Sequence, residues 1–295
     1  MFENQIRNEI ELSIVILTHN RKEKVSRCID CCLSNKIECD YEIIVIDNHS
    51  NDGTKELLES RYSQEIRYYY MDENLGSPQG RNKGFSFARG IYVLFLDDDI
   101  YFMDEGAIGK LLNIKKHNEA VLVLSSQIFD ILQGKLIPFI EPRQKKHNSL
   151  NEILSFHGAV HIVKKSDFGN MIYKSRVKFG FEELMLSISI VDRGFTVAYT
   201  NEVIAMHDGP RFEFSRERQA TTLKTSLYTK KSLYPLVFGP LIMLMHFLRC
   251  IKYFGLDYKQ IITITTLDIE IDNGNRIAFN TLFKLLRNYR FTKIF

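Results

Sequence analysis

The chain has 295 residues, of which 45% are hydrophobic and 25% charged, and its formal net charge is +3. These are the values of an ordinary globular protein, so the composition excludes a disordered or fibrous chain and gives no reason to expect nucleic-acid binding. A chain of this length can bury one large core and carry an appendage. Residues 1–11 are polar and show no secretory signal pattern, so we predict a cytoplasmic location.

Apolar runs and helical patterns alternate along the first hundred residues. The apolar runs are rich in β-branched residues and end in polar ones, which is typical of buried strands. The alternation predicts an α/β fold with a mostly parallel central sheet flanked by helices, whose ligand site lies beyond the carboxyl ends of the strands. The predicted strands are residues 11–17, 41–46, 67–70 and 92–96. The predicted helices include residues 25–33, a helix through Leu57 and Leu58, and a helix with Ser77 as N-cap and Pro78 at its first position.

Three consecutive carboxylates, Asp97, Asp98 and Asp99, end the fourth predicted strand. Like charges this close repel and raise one another's pKa, so an unpaired cluster at the edge of a core would be costly. A hard divalent cation removes that cost, and carboxylate oxygens suit Mg²⁺ or Mn²⁺. A solvated acidic turn is the alternative, but Thr18 and Asp47 end neighbouring strands and converge on the same edge of the sheet.

Zinc, dinucleotide and P-loop sites are not supported by the sequence. Cys28 and Cys31 lack a second ligand pair at a suitable spacing, whereas Cys28 and Cys32 share one face of a predicted helix, which indicates core packing. Three glycines recur every four residues from Gly76, which is not the spacing of a dinucleotide-binding loop, and the Lys-containing P-loop pattern is absent from the sequence.

Two histidines, His157 and His161, lie four residues apart in a further predicted strand. On one face of a strand they would be too far apart to share a metal, so structural roles are expected. The neighbouring elements are a predicted helix at residues 106–117, a strand at 121–124 and a basic surface loop at 138–148 that would cover a substrate.

An acidic pair, Glu182 and Glu183, opens a predicted helix that ends before Gly194. Acidic side chains in a first helical turn are favoured by the helix dipole, so electrostatic capping is one interpretation. Adjacent carboxylates can also split their pKa values, which leaves one of them able to act as a base. Residues 196–205 are then predicted to form one or two short strands that lead to His207.

Taken in order, these motifs resemble those of the inverting family 2 glycosyltransferases, whose members have a nucleotide-diphosphosugar transferase fold of the A type. The resemblance covers roughly residues 11–210. It is carried by residues 13–21, 46–54, 73–76 with Arg81 and Asn82, and 95–99, and by the eleven residues between Glu182 and Gly194.

The resemblance implies a role for each matching residue. The donor nucleotide and its diphosphate would contact Thr18, Asn20, Arg21, Asp47, Asn48, Gly76, Arg81, Asp97 and Asp98, with Asp47 accepting a hydrogen bond from the base, commonly uracil. A divalent metal, Mn²⁺ or Mg²⁺, would be held by Asp97, Asp99 and His207. Glu183 would be the catalytic base, with Glu182 beside it.

Three positions depart from the family pattern. The acidic pair is Glu-Glu instead of the frequent Glu-Asp, which lengthens the base by one methylene group. Met185 stands where a second acidic residue is common, and Ser189 stands where an Arg is usual. All three lie in the acidic helix, so they affect acceptor recognition more than donor binding.

The sequence therefore predicts an enzyme, a metal-dependent inverting glycosyltransferase. It would move a sugar from a nucleoside-diphosphate sugar, UDP- or dTDP-linked, to an acceptor hydroxyl of unknown identity in polysaccharide, glycolipid or glycoconjugate biosynthesis. One alternative is a catalytically idle binding or scaffold subunit, against which the retained carboxylates argue. The other is a sugar-nucleotide-forming nucleotidyltransferase, which would carry a Gly-rich, Arg-containing loop after the first strand.

The composition changes near residue 215, and we predict a catalytic domain at residues 1–215 and a helical extension at 216–295. The apolar run at 233–248 is interrupted by Pro and Gly and has fewer than 18 uninterrupted apolar residues, so a full membrane span is not expected. Segment 227–254 is predicted to pack on the catalytic domain, to form a homodimer or to make a peripheral contact with the inner membrane surface. The basic stretch 277–295 is predicted to be helical.

Overall fold

A mixed β-sheet flanked by helices organises the protein. The structure is a computed structural model that describes residues 9–142, 150–174, 180–209, 215–266, 276–289 and 294. Within these residues the strands are β1 Leu12–Thr18, β2 Tyr41–Asp47, β3 Ile66–Tyr70, β4 Tyr92–Asp97, β5 Ile100–Phe102, β6 Val121–Asp130, β7 Lys135–Leu136, β8 Asn151–Glu152, β9 Val160–Lys164 and β10 Thr196–His207.

Most of the helices follow the predicted order. The described helices are α1 Lys22–Ser34, α2 Thr54–Tyr62, α3 Ser77–Phe87, α4 Ala107–Lys116, α5 Glu182–Asp192, α6 Arg216–Leu233, α7 Gly239–Phe254, α8 Tyr258–Thr265 and α9 Phe279–Asn288, with short 3₁₀ turns at Lys165–Asp167 and Leu236–Phe238. Part of the surface loop predicted at 138–148 lies outside the described residues, from residue 143 onward.

Four parallel strands form one half of the sheet, in the order β3-β2-β1-β4. Thr18 at the end of β1 is in register with Asp47 at the end of β2, and Leu17 is in register with Asp97 at the end of β4. The carboxyl ends of these strands therefore meet at one edge of the sheet, as the alternation of strands and helices predicted.

Strand β9 changes the direction of the sheet, because it pairs antiparallel with both β4 and β6. The order continues β9-β6-β10-β5, in which β6 and β10 are parallel and β5 is antiparallel to β10. Since β9 runs against β4, the residues just before β9 lie at the same edge as Asp97, and Asp97 N donates to Ala159 O at 2.9 Å. The sheet is parallel in its first half and mixed in its second.

The hydrophobic core has one layer on each face of the sheet. Ile14 and Ile16 of β1 face α1 and α4, whereas Val15 faces the opposite layer with Phe85 of α3 and Ile190 of α5. This division follows from the two-residue period of a strand. The predicted packing role of the cysteines is confirmed for Cys28 and Cys32, which are buried in the first layer, and the five cysteines are free.

Helix α3 begins one residue earlier than predicted. Its N-cap is Gly76, with a φ of 79° that favours glycine, and Ser77 is the first helical residue. The Ser77 hydroxyl does not cap the helix, because it donates to Glu182 Oε1 at 3.0 Å. Further along α3, a Cβ at Gly84 would overlap Val15, so this glycine allows the helix to lie directly on β1.

A third hydrophobic cluster joins the C-terminal helices to α5. Leu184 and Ile188 of α5 pack with Leu227 and Tyr228 of α6 and with Leu282 of α9. The helix predicted within 277–295 is present as α9. Among the described residues one stretch, Leu236–Phe254, is long and apolar enough by length and composition to cross a membrane, and 17% of it is buried. The boundary at residue 215 stays a prediction.

Candidate active site

A cleft of about 800 Å³ opens at the edge of the sheet where β1 and β4 end. It is lined by eleven of the predicted site residues: Thr18, Arg21, Asn48, Gly76, Arg81, Asp97, Asp98, Asp99, Glu182, Glu183 and His207. These side chains come from segments up to 189 residues apart, and the fold brings them to one cavity.

Arg21 neutralises two of the three consecutive aspartates. Its Nη1 atom lies 3.0 Å from Asp98 Oδ1 and 2.8 Å from Asp99 Oδ2. Thr18 Oγ1 donates a further hydrogen bond of 2.7 Å to Asp98 Oδ2. Asp98 is therefore held by two side chains, Thr18 at the end of β1 and Arg21 just before α1.

The three aspartates differ in their electrostatic environments. Burial raises the pKa of Asp98 to about 7, although Arg21 opposes the shift. Burial and the neighbouring Asp97 also raise the pKa of Asp99. Burial alone would raise the pKa of Asp97 as well, but the Arg81 guanidinium outweighs it and holds that pKa below its usual value. Asp97 is thus the most firmly ionised of the three.

Arg81 connects the aspartates to the acidic pair of α5. Its Nη2 atom donates to Asp97 Oδ1 at 2.7 Å, and its Nη1 atom lies 3.6 Å from Glu182 Oε1 and 3.7 Å from Glu183 Oε1. The guanidinium is almost fully buried, and these carboxylates, led by Asp97, keep its pKa raised against the effect of burial. Ser77 Oγ lies 3.0 Å from both Arg81 Nη1 and Glu182 Oε1, which fixes their separation.

Glu183 has the environment of a base. Burial, and next the charge of Glu182, raise its pKa to about 8. A Cβ at Gly158 would overlap Glu183 Oε1 and lie 2.9 Å from both Nη atoms of Arg81, so no other residue type fits at position 158 without moving the ion pair. Glycine here allows the backbone before β9 to lie against the carboxylate.

His207 and Asp99 provide the structural test for a divalent metal. Within the described residues, no group of three or more His, Cys, Asp or Glu side chains is close enough to hold a metal ion as the side chains stand. However, Asp99 Oδ1 and His207 Nδ1 are both buried without a hydrogen-bond partner, and Asp99 Oδ1 lies 3.6 Å from His207 Nε2. An unpartnered carboxylate oxygen beside an imidazole is a donor set that fits Mn²⁺ or Mg²⁺.

Two predicted site residues, Asn20 and Asp47, do not line the cleft. Asp47 is fully buried and accepts hydrogen bonds from Tyr68 OH at 2.7 Å and from Ser50 N at 2.8 Å, so its two oxygens are both used within the protein. Asn20 has a φ of 53°, and its Oδ1 accepts from Asn51 N at 2.7 Å. In this structure both residues hold the loop after β2, and its Asn48 side chain reaches the cleft.

Several cleft residues were not identified from the sequence. His157 was expected to be structural, but it lines the cleft, its ring centroid lies 5.8 Å from that of His207, and burial lowers its pKa to about 4. His161 is structural as predicted: it stacks on Phe95, and its Nε2 lies 2.8 Å from Tyr173 OH. The antiparallel direction of β9, which positions His157, leaves no signal in the sequence.

Curated relatives with sequence similarity are glycosyltransferases. Over 57% of this chain, the poly(ribitol-phosphate) β-N-acetylglucosaminyltransferase TarP of Staphylococcus aureus is 33% identical, and 52% of its length is covered. The poly(ribitol-phosphate) β-glucosyltransferase of Bacillus spizizenii is 32% identical over 39% of this chain, and the match covers 19% of the relative's length. The GalNAc(5)-diNAcBac-PP-undecaprenol β-1,3-glucosyltransferase of Campylobacter jejuni is 33% identical over 37% of this chain, and the match covers 35% of the relative's length. The chain thus spans about half or less of these relatives.

Solved structures share the fold at low sequence identity. The structure of GalNAc-T7 with UDP, GalNAc and Mn²⁺ superposes with a TM-score of 0.61 over 77% of this chain and 48% of that chain, at 16% identity. The structure of Staphylococcus aureus TarS 1–349 with UDP-GlcNAc superposes with a TM-score of 0.59 over 86% of this chain and 79% of that chain, at 14% identity. The fold is that of the A-type glycosyltransferases. The model of glycosyl transferase family 2 matches residues 13–166, more than half of the sequence, and the chain belongs to that family.

Proposed function

We propose that this protein is an inverting glycosyltransferase that moves a sugar from a UDP- or dTDP-linked donor to an acceptor hydroxyl during polysaccharide or glycolipid synthesis. The observation that carries the proposal is the Arg81 ion pair, in which Asp97 and Glu183 contact opposite ends of one buried guanidinium inside one cleft. We call the part of the cleft at Asp97 the donor side and the part at Glu183 the base side, and the Arg81 guanidinium lies between them. The activities for which the relatives are named support the reaction class.

The donor side is formed by the ends of β1 and β4. Thr18, Arg21 and Asn48 line it, and Asp97 and Asp99 supply negative charge that would suit a divalent cation. Asn48 is held in place because its Nδ2 donates to Asn74 Oδ1 at 3.0 Å and its Oδ1 accepts from Leu75 N at 2.9 Å. These hydrogen bonds tie Asn48, after β2, to the loop before α3.

Asp97, Asp99 and His207 would hold the divalent cation. When bound, such a cation neutralises the charge that develops on a departing nucleoside diphosphate. Gly209 leaves room for the imidazole of His207, since a Cβ there would overlap the ring. Lys24 Nζ donates to Asp208 O next to it, so the segment after β10 is tied to α1.

The base side is formed by the start of α5. Glu183 would take the proton of the acceptor hydroxyl as that oxygen attacks the anomeric carbon from the face opposite the diphosphate. Arg81 orients the carboxylate, and the mostly buried position of Glu183 limits competition by water. A single displacement with one base accounts for inversion and requires no covalent intermediate on the enzyme.

Replacement of Glu183 by Gln tests the base. The amide keeps the size of the side chain and removes its basicity, so we expect kcat to fall by about 10²- to 10⁴-fold. Nucleotide affinity, measured by calorimetry with UDP, should stay within about twofold. Glu23→Gln on the exposed face of α1 is the matched control. Unchanged turnover in Glu183→Gln would remove the base assignment.

The pH dependence follows from the same carboxyl group. A base must be deprotonated, and the pKa of Glu183 is raised to about 8, so kcat/KM for the acceptor should rise with pH and level off above that value. Glu182 contributes to the upward shift, so Glu182→Gln should move the midpoint to lower pH. The initial rate is measured between pH 6 and 9.5 with UDP affinity followed in parallel. A flat or falling profile would contradict the assignment.

Replacement of Asp99 by Asn tests the metal site. The amide removes one anionic ligand, so we expect Mn²⁺-dependent UDP binding to weaken by at least about tenfold, the loss seen even for indirect metal contacts. Calorimetry with and without Mn²⁺ measures the effect, and Asp104→Asn, an exposed position after β5, is the control. Equal UDP affinity of the wild-type protein with and without metal would contradict the metal role.

The C-terminal helices carry an exposed apolar surface. We define the apolar surface by the exposed side chains Leu236, Val237, Leu244, Phe247, Leu248, Phe279 and Phe283. The rings of Phe238 and Phe279 lie 6.0 Å apart, so the starts of α7 and α9 are neighbours. Leu244, Phe247 and Leu248 share one face of α7, where a helix of a soluble domain carries polar side chains.

We propose that an anionic bilayer covers the apolar surface and that the enzyme works at the inner membrane surface. Residues 216–295 contain 13 Lys and Arg against five Asp and Glu, a net charge of +8 where the whole chain carries +3. A basic segment with an exposed apolar face matches an anionic interface better than it matches a second copy of itself, which would bring like charges together. A lipid-linked acceptor, as named for the Campylobacter relative, is found at such an interface.

Vesicle binding tests this surface. The triple variant Leu244→Gln, Phe247→Gln, Leu248→Gln should lose affinity for phosphatidylcholine–phosphatidylglycerol vesicles by about tenfold or more, since each buried apolar side chain contributes on the order of 1 kcal/mol or more. Sedimentation with the full chain measures it, with Met171→Gln on the catalytic part as control. The proposal would be wrong if the wild-type protein does not bind vesicles but forms a dimer, and if the triple variant abolishes that dimer. The apolar surface would then be a homodimer interface.

A further inference from the structure

A second cavity of about 270 Å³ lies between the start of α5 and the first turns of α6. Its wall combines apolar side chains, among them Phe181 and Leu184, with the hydroxyl-bearing residues Ser155, Thr221, Thr222 and Thr225. We call it the acceptor cavity. Neither the sequence motifs nor the relatives' names assign it a role.

Glu183 lies on the wall between the acceptor cavity and the main cleft. The Glu183 side chain lines both cavities, and so does the backbone at Gly180. A molecule in the acceptor cavity can therefore present a hydroxyl to the Glu183 carboxylate, while Arg81 and Asp97 line the main cleft and not the acceptor cavity. This is the arrangement that the attacking group needs if the donor diphosphate lies near Asp97.

The chemistry of the wall selects against a charged occupant. Among the described residues that line the acceptor cavity there is no Lys, Arg or His, and Glu183 is its charged side chain. A phosphate placed there would be partly desolvated beside the Glu183 carboxylate, with no cation among the described lining residues to compensate it, which is costly. A neutral sugar ring can instead place its C–H face on Phe181 and Leu184 and its hydroxyl groups near the threonines.

The departures in α5 agree with this reading. Met185, where the family commonly has an acidic residue, is buried with Leu184 and Leu227 in the cluster that joins α5 to α6. The same helix thus packs on α6 through an apolar face directly below the cavity. This packing allows α6, which follows the catalytic strands, to supply part of the acceptor site.

We propose that the acceptor cavity binds a neutral saccharide unit of the acceptor, and that Thr221 and Thr225 of α6 help to select it over a polyol phosphate. This inference rests on the proposed glycosyl transfer. In that step the bond from the acceptor oxygen to the anomeric carbon forms as the bond from that carbon to the diphosphate oxygen breaks. The leaving nucleoside diphosphate keeps the electron pair, and Glu183 takes the hydroxyl proton.

The test compares neutral and phosphorylated probes with the full chain. The probes are p-nitrophenyl glycosides of glucose, galactose, N-acetylglucosamine and N-acetylgalactosamine, and ribitol 5-phosphate. UDP or dTDP release with Mn²⁺ is followed for the nucleotide sugar that the enzyme hydrolyses fastest. We expect saturable stimulation by at least one neutral glycoside and none by ribitol 5-phosphate. Stimulation by ribitol 5-phosphate alone, or by none of the glycosides, would overturn the inference.

Variants of α6 locate the binding site. Thr225→Leu fills the cavity and Thr221→Tyr blocks its exposed mouth, so each should raise the KM of the stimulating glycoside at least about tenfold while the KM of the donor stays within about twofold. Thr221 is exposed, so Thr221→Tyr remains informative if Thr225→Leu does not fold. Thr263→Leu, at an exposed position of α8, is the matched control. An unchanged glycoside KM in Thr221→Tyr and in folded Thr225→Leu would also overturn the assignment of the acceptor cavity.

Donor measurements separate this inference from the proposed function. If the wild-type protein neither binds UDP or dTDP nor hydrolyses any nucleotide sugar, the proposed transferase activity fails. If donor binding and hydrolysis are intact but ribitol 5-phosphate is the better acceptor, the transferase activity stands and the assignment of the acceptor cavity is wrong.

Discussion

The buried guanidinium of Arg81 holds the two sides of the cleft together. One of its Nη atoms contacts Asp97 at the end of β4, and the other lies near Glu182 and Glu183 at the start of α5. Three largely buried carboxylates without this cation would repel one another, and a buried guanidinium without them would be equally costly. The lowered pKa of Asp97 and the pairing of Glu183 with a cation both follow from this one set of contacts.

Glu183, the proposed base, consequently lies between two cavities of different character. The cleft on the Asp97 side is lined by charged groups from β1, β4 and β10, which suit a diphosphate and a cation. The acceptor cavity on the other side is lined by apolar and hydroxyl groups of α5 and α6, which suit a neutral sugar. Glu183 lines both. The acceptor cavity is completed by α6, and the apolar surface lies on residues 236–248 and α9, so both proposals concern the chain after residue 215.

Local patterns predicted most of the fold and the residues of the cleft, whereas long-range pairing and exact side-chain contacts were not predictable. The buried strands and the aspartates after β4 follow from apolar runs and like-charge repulsion, which a single sequence displays. The antiparallel insertion of β9 depends on pairing between distant segments, so His157 and Gly158 could not be placed. Asp47 ends β2 as predicted, but the hydroxyl of Tyr68 from β3 occupies it, and that contact depends on side-chain packing.

The central claim is that the donor diphosphate and the base Glu183 meet in one cleft on either side of Arg81. A crystal structure of the protein soaked with UDP and Mn²⁺, with an anomalous difference map at the manganese edge, tests it most directly. We expect one manganese peak in contact with Asp97 or Asp99, with the diphosphate beside it and Glu183 facing the same cavity. Nucleotide bound outside this cleft, or a manganese peak away from both aspartates, would contradict the account.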